Sequence, residues 1–166
     1  NTSGSYRVPT LNDRFWIGAG NPALKPERGW NHELGLRHVL VRGNTLLLQT
    51  ELTGYYILID DWIQWAPNKT GIWRPANLQK VESKGIEAST TATVTAGDIK
   101  INSTAAYTYT SSEQVEVYEG SGDIGKQLMY VPRHKAMLSA DVIYSGWTLL
   151  SNLSYTGLRY TSNSET

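Results

Sequence analysis

The sequence predicts an all-β chain, an antiparallel up-and-down meander of about seven strands that forms part of the wall of a large transmembrane β-barrel. Three observations carry that expectation. Apolar and polar residues alternate with period 2 over long segments, the aromatic pool is dominated by Tyr and Trp, and the connections alternate between short and long.

The elements follow in chain order. From His32 to Val41, Leu34, Leu36 and Leu40 fall on one side, with Glu33 and Arg37 on the other. From Leu46 the even positions read Leu46, Leu48, Thr50, Leu52, Gly54, Tyr56 and Leu58, while Gln49, Glu51 and Thr53 lie between them. After Gly85, Ile86, Ala88, Ala92 and Val94 alternate with Glu87, Ser89, Thr91 and Thr93. From Ile99 the set Ile99, Ile101, Ala105, Tyr107 and Tyr109 alternates with Lys100, Asn102, Thr104 and Thr108. Ala136, Leu138, Ala140, Val142 and Tyr144 form a further apolar face, although Met137 and Ile143 blur its partner. Trp147, Leu149, Leu153 and Tyr155 form the last. Successive side chains in a strand point to opposite faces, so each segment has one greasy and one wet side. Several segments exceed the usual strand length and reach the roughly 9–11 residues needed to cross a bilayer at a tilt. Their apolar faces are mild, as barrel strands tend to be.

Arg42-Gly43-Asn44, Ala96-Gly97-Asp98 and Ser145-Gly146 read as tight turns. Asn12 to Trp30, Ala66 to Ala76 and Ser111 to Pro132 read as long connections. Short turns on one rim and long loops on the other match a bacterial outer-membrane barrel, with turns in the periplasm and loops outside.

Composition narrows the function. Lys plus Arg and Asp plus Glu number 15 each, for a formal net charge of zero. That removes the basic surface that nucleic-acid binding requires. Cysteine is absent, so no disulfide or zinc–thiolate site can form. No apolar run approaches the length of a transmembrane helix. There are 10 Tyr and 6 Trp against a single Phe. Tyr and Trp suit a surface that meets both oil and water.

The sequence carries no GxSxG, P-loop or HExxH pattern, and no enzyme activity is expected. Asp60 and Asp61 are adjacent, and alternation points them to opposite faces, so they read as rim charges. His32, His38 and His134 lack metal-ligand spacing. Asn-x-Ser/Thr at Asn1, Asn68, Asn102 and Asn152 is what Thr-rich strands produce by chance. Tyr144 and Trp147 flank a short turn and fit a periplasmic aromatic girdle; Tyr55, Tyr56, Trp62 and Trp65 approach a long loop and fit an outer one. Trp16, Trp73 and Tyr118 lie within long loops and are the candidates for ligand contact.

Gly20-Asn21-Pro22-Ala23-Leu24-Lys25-Pro26-Glu27, followed by Asn31-His32-Glu33-Leu34-Gly35, resembles the GNPxLKPE…ExG signature of TonB-dependent outer-membrane receptors. Tyr6 to Asp13 is similar to the family's FRAPTLxEL stretch. Tyr55-Tyr56 with Ile59-Asp60-Asp61-Trp62-Ile63 resembles its YxxxIxDxI strand, and Asn77 with Ser83-Lys84-Gly85-Ile86-Glu87 its N…SxGxE strand. Val131-Pro132-Arg133-His134-Lys135 and Gly157-Leu158-Arg159-Tyr160 resemble its later PxHK and GxRY blocks. These blocks occur in the family's order over nearly the whole chain and lean toward its cobalamin-receptor-like branch. The proline-rich block itself reads as architecture, since each Pro fixes φ and pushes the residue before it to extended geometry.

The resemblance implies a bacterial outer-membrane location and a barrel of about 22 strands around an N-terminal plug. It implies import of a scarce ligand, such as a ferric siderophore or cobalamin, energised through TonB. The expected partners are outer-membrane lipid, a small-molecule ligand met by the extracellular loops, and the plug and TonB in the full-length protein. Residues 1–166 would be one segment of the barrel domain, without plug or TonB box, and the resemblance implies no cofactor. Two alternatives differ in class: a porin-like outer-membrane barrel, and a soluble all-β binding module that buries Leu46, Leu48 and Leu52 in its own core.

Overall fold

In the computed structural model, which describes residues 1–68, 70–116 and 124–161, seven strands form one antiparallel sheet in sequence order. They are β1 (Thr2–Arg7), β2 (Glu27–Arg42), β3 (Leu46–Pro67), β4 (Trp73–Ala96), β5 (Ile99–Glu116), β6 (His134–Tyr144) and β7 (Trp147–Thr156). A single helical turn, α1 (Leu11–Phe15), lies in the connection from β1 to β2. The short rim is built from turns that need left-handed backbone. Ser145 and Gly146 both have positive φ (46° and 80°), the pairing a two-residue hairpin requires.

The register converts alternation into faces. Leu36 pairs with Leu52, Leu52 with Ala88, Ala88 with Tyr107, Tyr107 with Ala136 and Ala136 with Tyr155. One greasy surface therefore runs unbroken from β2 to β7. Among the described residues, no Asp, Glu, Lys or Arg falls on it between the row His32–Tyr56–Lys84 and the row Arg42–Leu46–Val94. Its large residues are open: Leu34, Leu36, Leu149 and Leu153 are all exposed, and Trp147 is 81% exposed beside its partner Tyr144. The opposite face carries Glu33, Arg37, Glu51, Glu87, Lys135 and Asp141, with Arg37 Nε 3.3 Å from Glu51 Oε1.

Several expectations need correction. β2 begins at Glu27, inside the connection expected from Asn12 to Trp30, and β5 runs to Glu116, inside the one expected from Ser111 to Pro132. The connection expected from Ala66 to Ala76 is largely strand. β3 continues to Pro67, β4 begins at Trp73, and Asn68 closes the tip by accepting at Oδ1 from the amides of Thr70 and Ile72. Pro75 misleads as a breaker because it sits where β4 pairs with β3 alone, an edge position that tolerates a missing N–H. The outer girdle is also smaller than expected. Tyr55 and Trp65 share the wet-face parity, and only Tyr56 and Trp62 share the greasy one.

Tyr55 instead lies across Gly85, its register partner, and its Oη bonds Thr110 Oγ1 at 2.6 Å on the strand beyond. A Cβ at residue 85 would lie 2.7 Å from the Tyr55 ring carbon Cζ, so the strand accepts only glycine there without a shift. An aromatic covering a strand glycine is a recognised means of fixing register.

The small core lies on the wet face, toward the long-loop end. Leu24, Ile63, Val81, Leu128 and Met129 are its buried apolar residues. Two connections fold over the sheet to make it. The segment from residue 8 to 26 covers the tops of β3 and β4. Residues 124–133 lie on β5, where Gln127 Oε1 accepts from Ser112 N at 3.0 Å.

Candidate ligand-contact site

The β1–β2 connection forms a strap across the extended β3–β4 hairpin. Its first anchor is Glu27, buried at the start of β2. Arg7 grips both carboxylate oxygens of Glu27, and Glu27 Oε1 also accepts from the backbone N–H of Ile63 at 2.8 Å. Its second anchor is Asn77. That side chain donates to the carbonyls of Lys25 (3.0 Å) and Asp61 (2.6 Å), and its Oδ1 accepts from Lys25 N at 2.9 Å. Asp61 itself sits at φ 59°, a left-handed position that Asp tolerates better than most residues. Asn21 adds a third anchor, donating to the Pro75 carbonyl at 3.2 Å. The Gly20-to-Glu27 block therefore spends its polar groups on internal bonds.

The fourth anchor builds a recess. Thr10 caps α1, accepting at Oγ1 from Asp13 N (3.1 Å), while Asp13 Oδ2 accepts from Thr10 N and Thr10 Oγ1. Asp13 Oδ1 accepts from the Trp65 indole N–H at 2.9 Å. Burial pushes the Asp13 carboxyl upward, but the bonds from Trp65 and Thr10 and the positive charge of Arg7 outweigh it and hold its pKa below the ordinary 3.8. Trp16 ends the helix and is 55% exposed. Together Thr10, Asn12, Asp13, Trp16 and Trp65 line an open recess of about 390 Å³.

The three loop aromatics expected to touch ligand separate here. Trp16 lines the recess. Trp73 is the first residue of β4, not a loop residue, and its ring lies 6.2 Å from that of Tyr130. Tyr118 lies outside the described residues. The structure adds Trp65 and Asp13. Trp65 was expected in the outer girdle; the signal that could have placed it inward is its odd parity, shared with Glu51 and Thr53. Asp13 carried no signal beyond its spacing from Thr10. The recess offers ring faces and hydrogen-bonding edges, which suit binding. Among the described residues, no group of three or more His, Cys, Asp or Glu is placed to hold a metal ion.

Comparison with known proteins gives the chain its relatives. A family model described as TonB dependent receptor-like, beta-barrel matches residues 1–166. The vitamin B12 transporter BtuB of Photobacterium profundum is 41% identical over 91 residues, covering 52% of this chain and 14% of that protein. BtuB of Vibrio vulnificus is 37% identical over 87 residues, covering 52% and 13%. The chain thus spans about one seventh of the length of these curated relatives. Among solved structures, the copper transporter OprC superposes with a TM-score of 0.68 at 18% identity, over 92% of this chain and 22% of that one, a likeness of fold. The family match runs the whole length, and the register supplies the charge-free outward band such a wall needs. The chain belongs to the TonB-dependent receptor-like β-barrel family of outer-membrane proteins.

Proposed function

We propose that residues 1–166 form one continuous segment of the barrel domain of an outer-membrane importer, and that the strap forms part of its outer mouth. The rest of the receptor supplies the plug, the TonB contact and the remaining strands. The transported ligand on this reading is a corrinoid of the cobalamin class. The identity to two vitamin B12 transporters carries it. The recess between Trp16 and Trp65 supports it in chemistry: two indoles with Thr10 and Asn12 at the edge suit a broad flat ligand fringed with amides.

The test uses the whole receptor in an outer membrane. Cells that depend on it should take up radiolabelled cyanocobalamin. Trp16→Ala should weaken binding about tenfold, the typical cost of losing one aromatic contact of about 1.4 kcal/mol. Uptake of a ferric siderophore in its place, with no cobalamin binding, would refute the ligand assignment.

A further inference from the structure

The inner side of the mouth carries a second aromatic pair. Trp73 shares the wet face with Trp65: its partner is Pro67, and Trp65 pairs with Pro75, so the two indoles are diagonal neighbours. Diagonal positions on one face of an antiparallel pair stand about 7–8 Å apart, within reach of aromatic side chains. Two bonds tie this end of β4 to the strap. Arg74 Nη2 donates to the Gly18 carbonyl at 3.4 Å, close to Trp16 in the chain, and Asn21 Nδ2 donates to that of Pro75 at 3.2 Å. The Trp73 ring then meets Tyr130, with ring centroids 6.2 Å apart. Trp16, Trp65, Trp73 and Tyr130 therefore follow one another along the mouth.

Tyr130 is held there against its own backbone preference. Its φ is 62°, a left-handed conformation that a bulky residue rarely adopts. Ser145 takes positive φ to make a hairpin and Asp61 tolerates it; Tyr130 has neither reason. Such an outlier persists only where its surroundings fix it, and it is a pointer to function. Leu128 and Met129, just before it, are buried, and Leu128 N donates to the Ser112 carbonyl at 2.7 Å. Tyr130 N donates to the Tyr160 carbonyl at 2.9 Å, and buried Gln127 donates through Nε2 to that of Val131 at 3.1 Å. The left-handed step turns Tyr130 out of the core that Leu128 and Met129 enter. It is left 47% exposed, beside Trp73 at 41%.

We propose that Trp73 and Tyr130 form a second ligand subsite at the mouth, which takes the aromatic base of the ligand's nucleotide arm. This rests on the corrinoid reading of the strap. A corrinoid of the cobalamin class has two flat parts, the macrocycle and the base on that arm. The recess of Trp16 and Trp65 and the Trp73–Tyr130 pair offer two aromatic surfaces, linked by the diagonal from Trp65 to Trp73. An indole face beside a phenol suits a heteroaromatic base. Tyr130 is then a specificity-determining residue, which separates the complete ligand from one without the arm.

The test measures equilibrium binding to the full-length receptor in outer membranes, with cyanocobalamin and with dicyanocobinamide, which keeps the macrocycle and lacks the nucleotide. Tyr130→Gly removes the ring and suits the left-handed backbone, so the fold is retained. It should weaken cyanocobalamin about tenfold, as loss of an aromatic anchor does, and leave dicyanocobinamide within about twofold. Trp73→Ala should show the same selective loss, and Tyr130→Phe, which keeps the ring, should bind both like wild type. Trp16→Ala should weaken both ligands. If wild type binds both and the Tyr130→Gly and Trp73→Ala receptors lose neither, or lose both equally, the second subsite is overturned and the strap recess stands. If wild type binds neither, the corrinoid reading falls and this subsite with it.

Discussion

The lower outward half of the sheet and its upper inward half are stabilised by opposite means. The outward half buries almost nothing within the chain: Leu36, Leu149 and Leu153 are about two-thirds exposed. Its apolar side chains have lipid as their solvent, and its backbone groups pair within the sheet, as hydrocarbon demands. The upper half stands in water and covers itself. It holds buried Leu24, Ile63, Val81, Leu128 and Met129, with Pro75 among the most deeply buried, and beside them buried Asp13, Glu27 and Gln127. Along the greasy face, then, the membrane does the work of a core. Above it, the strap and the residue 124–133 segment must build one, and buried polar anchors fix where they lie.

The sharpest way to break this contrast is to place the same charge on each face at one height. Leu52 points outward near the middle of the band, and Thr53 points inward. In the full-length receptor, Leu52→Arg should cost about 2–4 kcal/mol, the depth-dependent penalty for arginine at the bilayer midplane. Thr53→Arg should stay within about 0.5 kcal/mol, as a polar-face substitution does. Urea titration of the barrel reinserted into lipid vesicles reads both. Equal costs would mean that the greasy face does not meet lipid.

The second break is in the strap. Glu27→Ala leaves Arg7 without its carboxylate and the Ile63 amide buried without an acceptor. The expected cost is about 2–3 kcal/mol, since an orphaned buried donor forfeits its desolvation and Arg7 is only half-buried. The loss should be local: hydrogen exchange rises through residues 8–26 while β5 to β7 are unchanged. Exchange rising uniformly over the sheet would show that strap and wall unfold as one.

Sequence reasoning served these two halves unequally. The wall was legible because period 2 is strict wherever one face meets lipid, so Leu46 to Leu58 and Ile99 to Tyr109 declared their faces residue by residue. The short rim was legible from Gly43, Gly97 and Gly146, which all take positive φ in the turns. The upper half was not. There both faces meet water or a covering segment, so the greasy parity stops at Leu58 and Pro67, Gly71 and Pro75 imitate a loop. β1 escaped notice because Thr2-Ser3-Gly4-Ser5 has no apolar alternation and is held by its pairing with β2. The strap's bonds were invisible for another reason. Asn77 meets Lys25 across 52 residues, and Asp13 meets Trp65 across the same separation; no local pattern encodes such a pair. Trp16 stood out only as an aromatic in a long connection, and the recess it lines needed Trp65, which sequence position alone had assigned to the girdle.

The weakest expected effect tests whether Asp13 holds the recess by charge. Its folded pKa lies below the ordinary carboxylate value, so the carboxylate form binds the strap better than the protonated form does. A depressed carboxylate contributes stability that is complete above its unfolded pKa and is lost as pH falls through the folded one. Neutral and mildly acid conditions should therefore leave the strap closed. Below the ordinary value of 3.8, hydrogen exchange in residues 8–26 should rise several-fold as the proton displaces the bonds from Thr10 and Trp65. Asp13→Asn separates this from general acid loosening. The amide keeps one carbonyl oxygen for Trp65 or Thr10, but not both, and has no proton to gain in this range. The variant should exchange faster at pH 7 and change little on acidification, while the Glu27 anchor beside it stays intact. If it keeps the acid transition of the wild type, another carboxylate opens the strap, and Glu27, the only other carboxylate buried among its anchors, becomes the group to replace next.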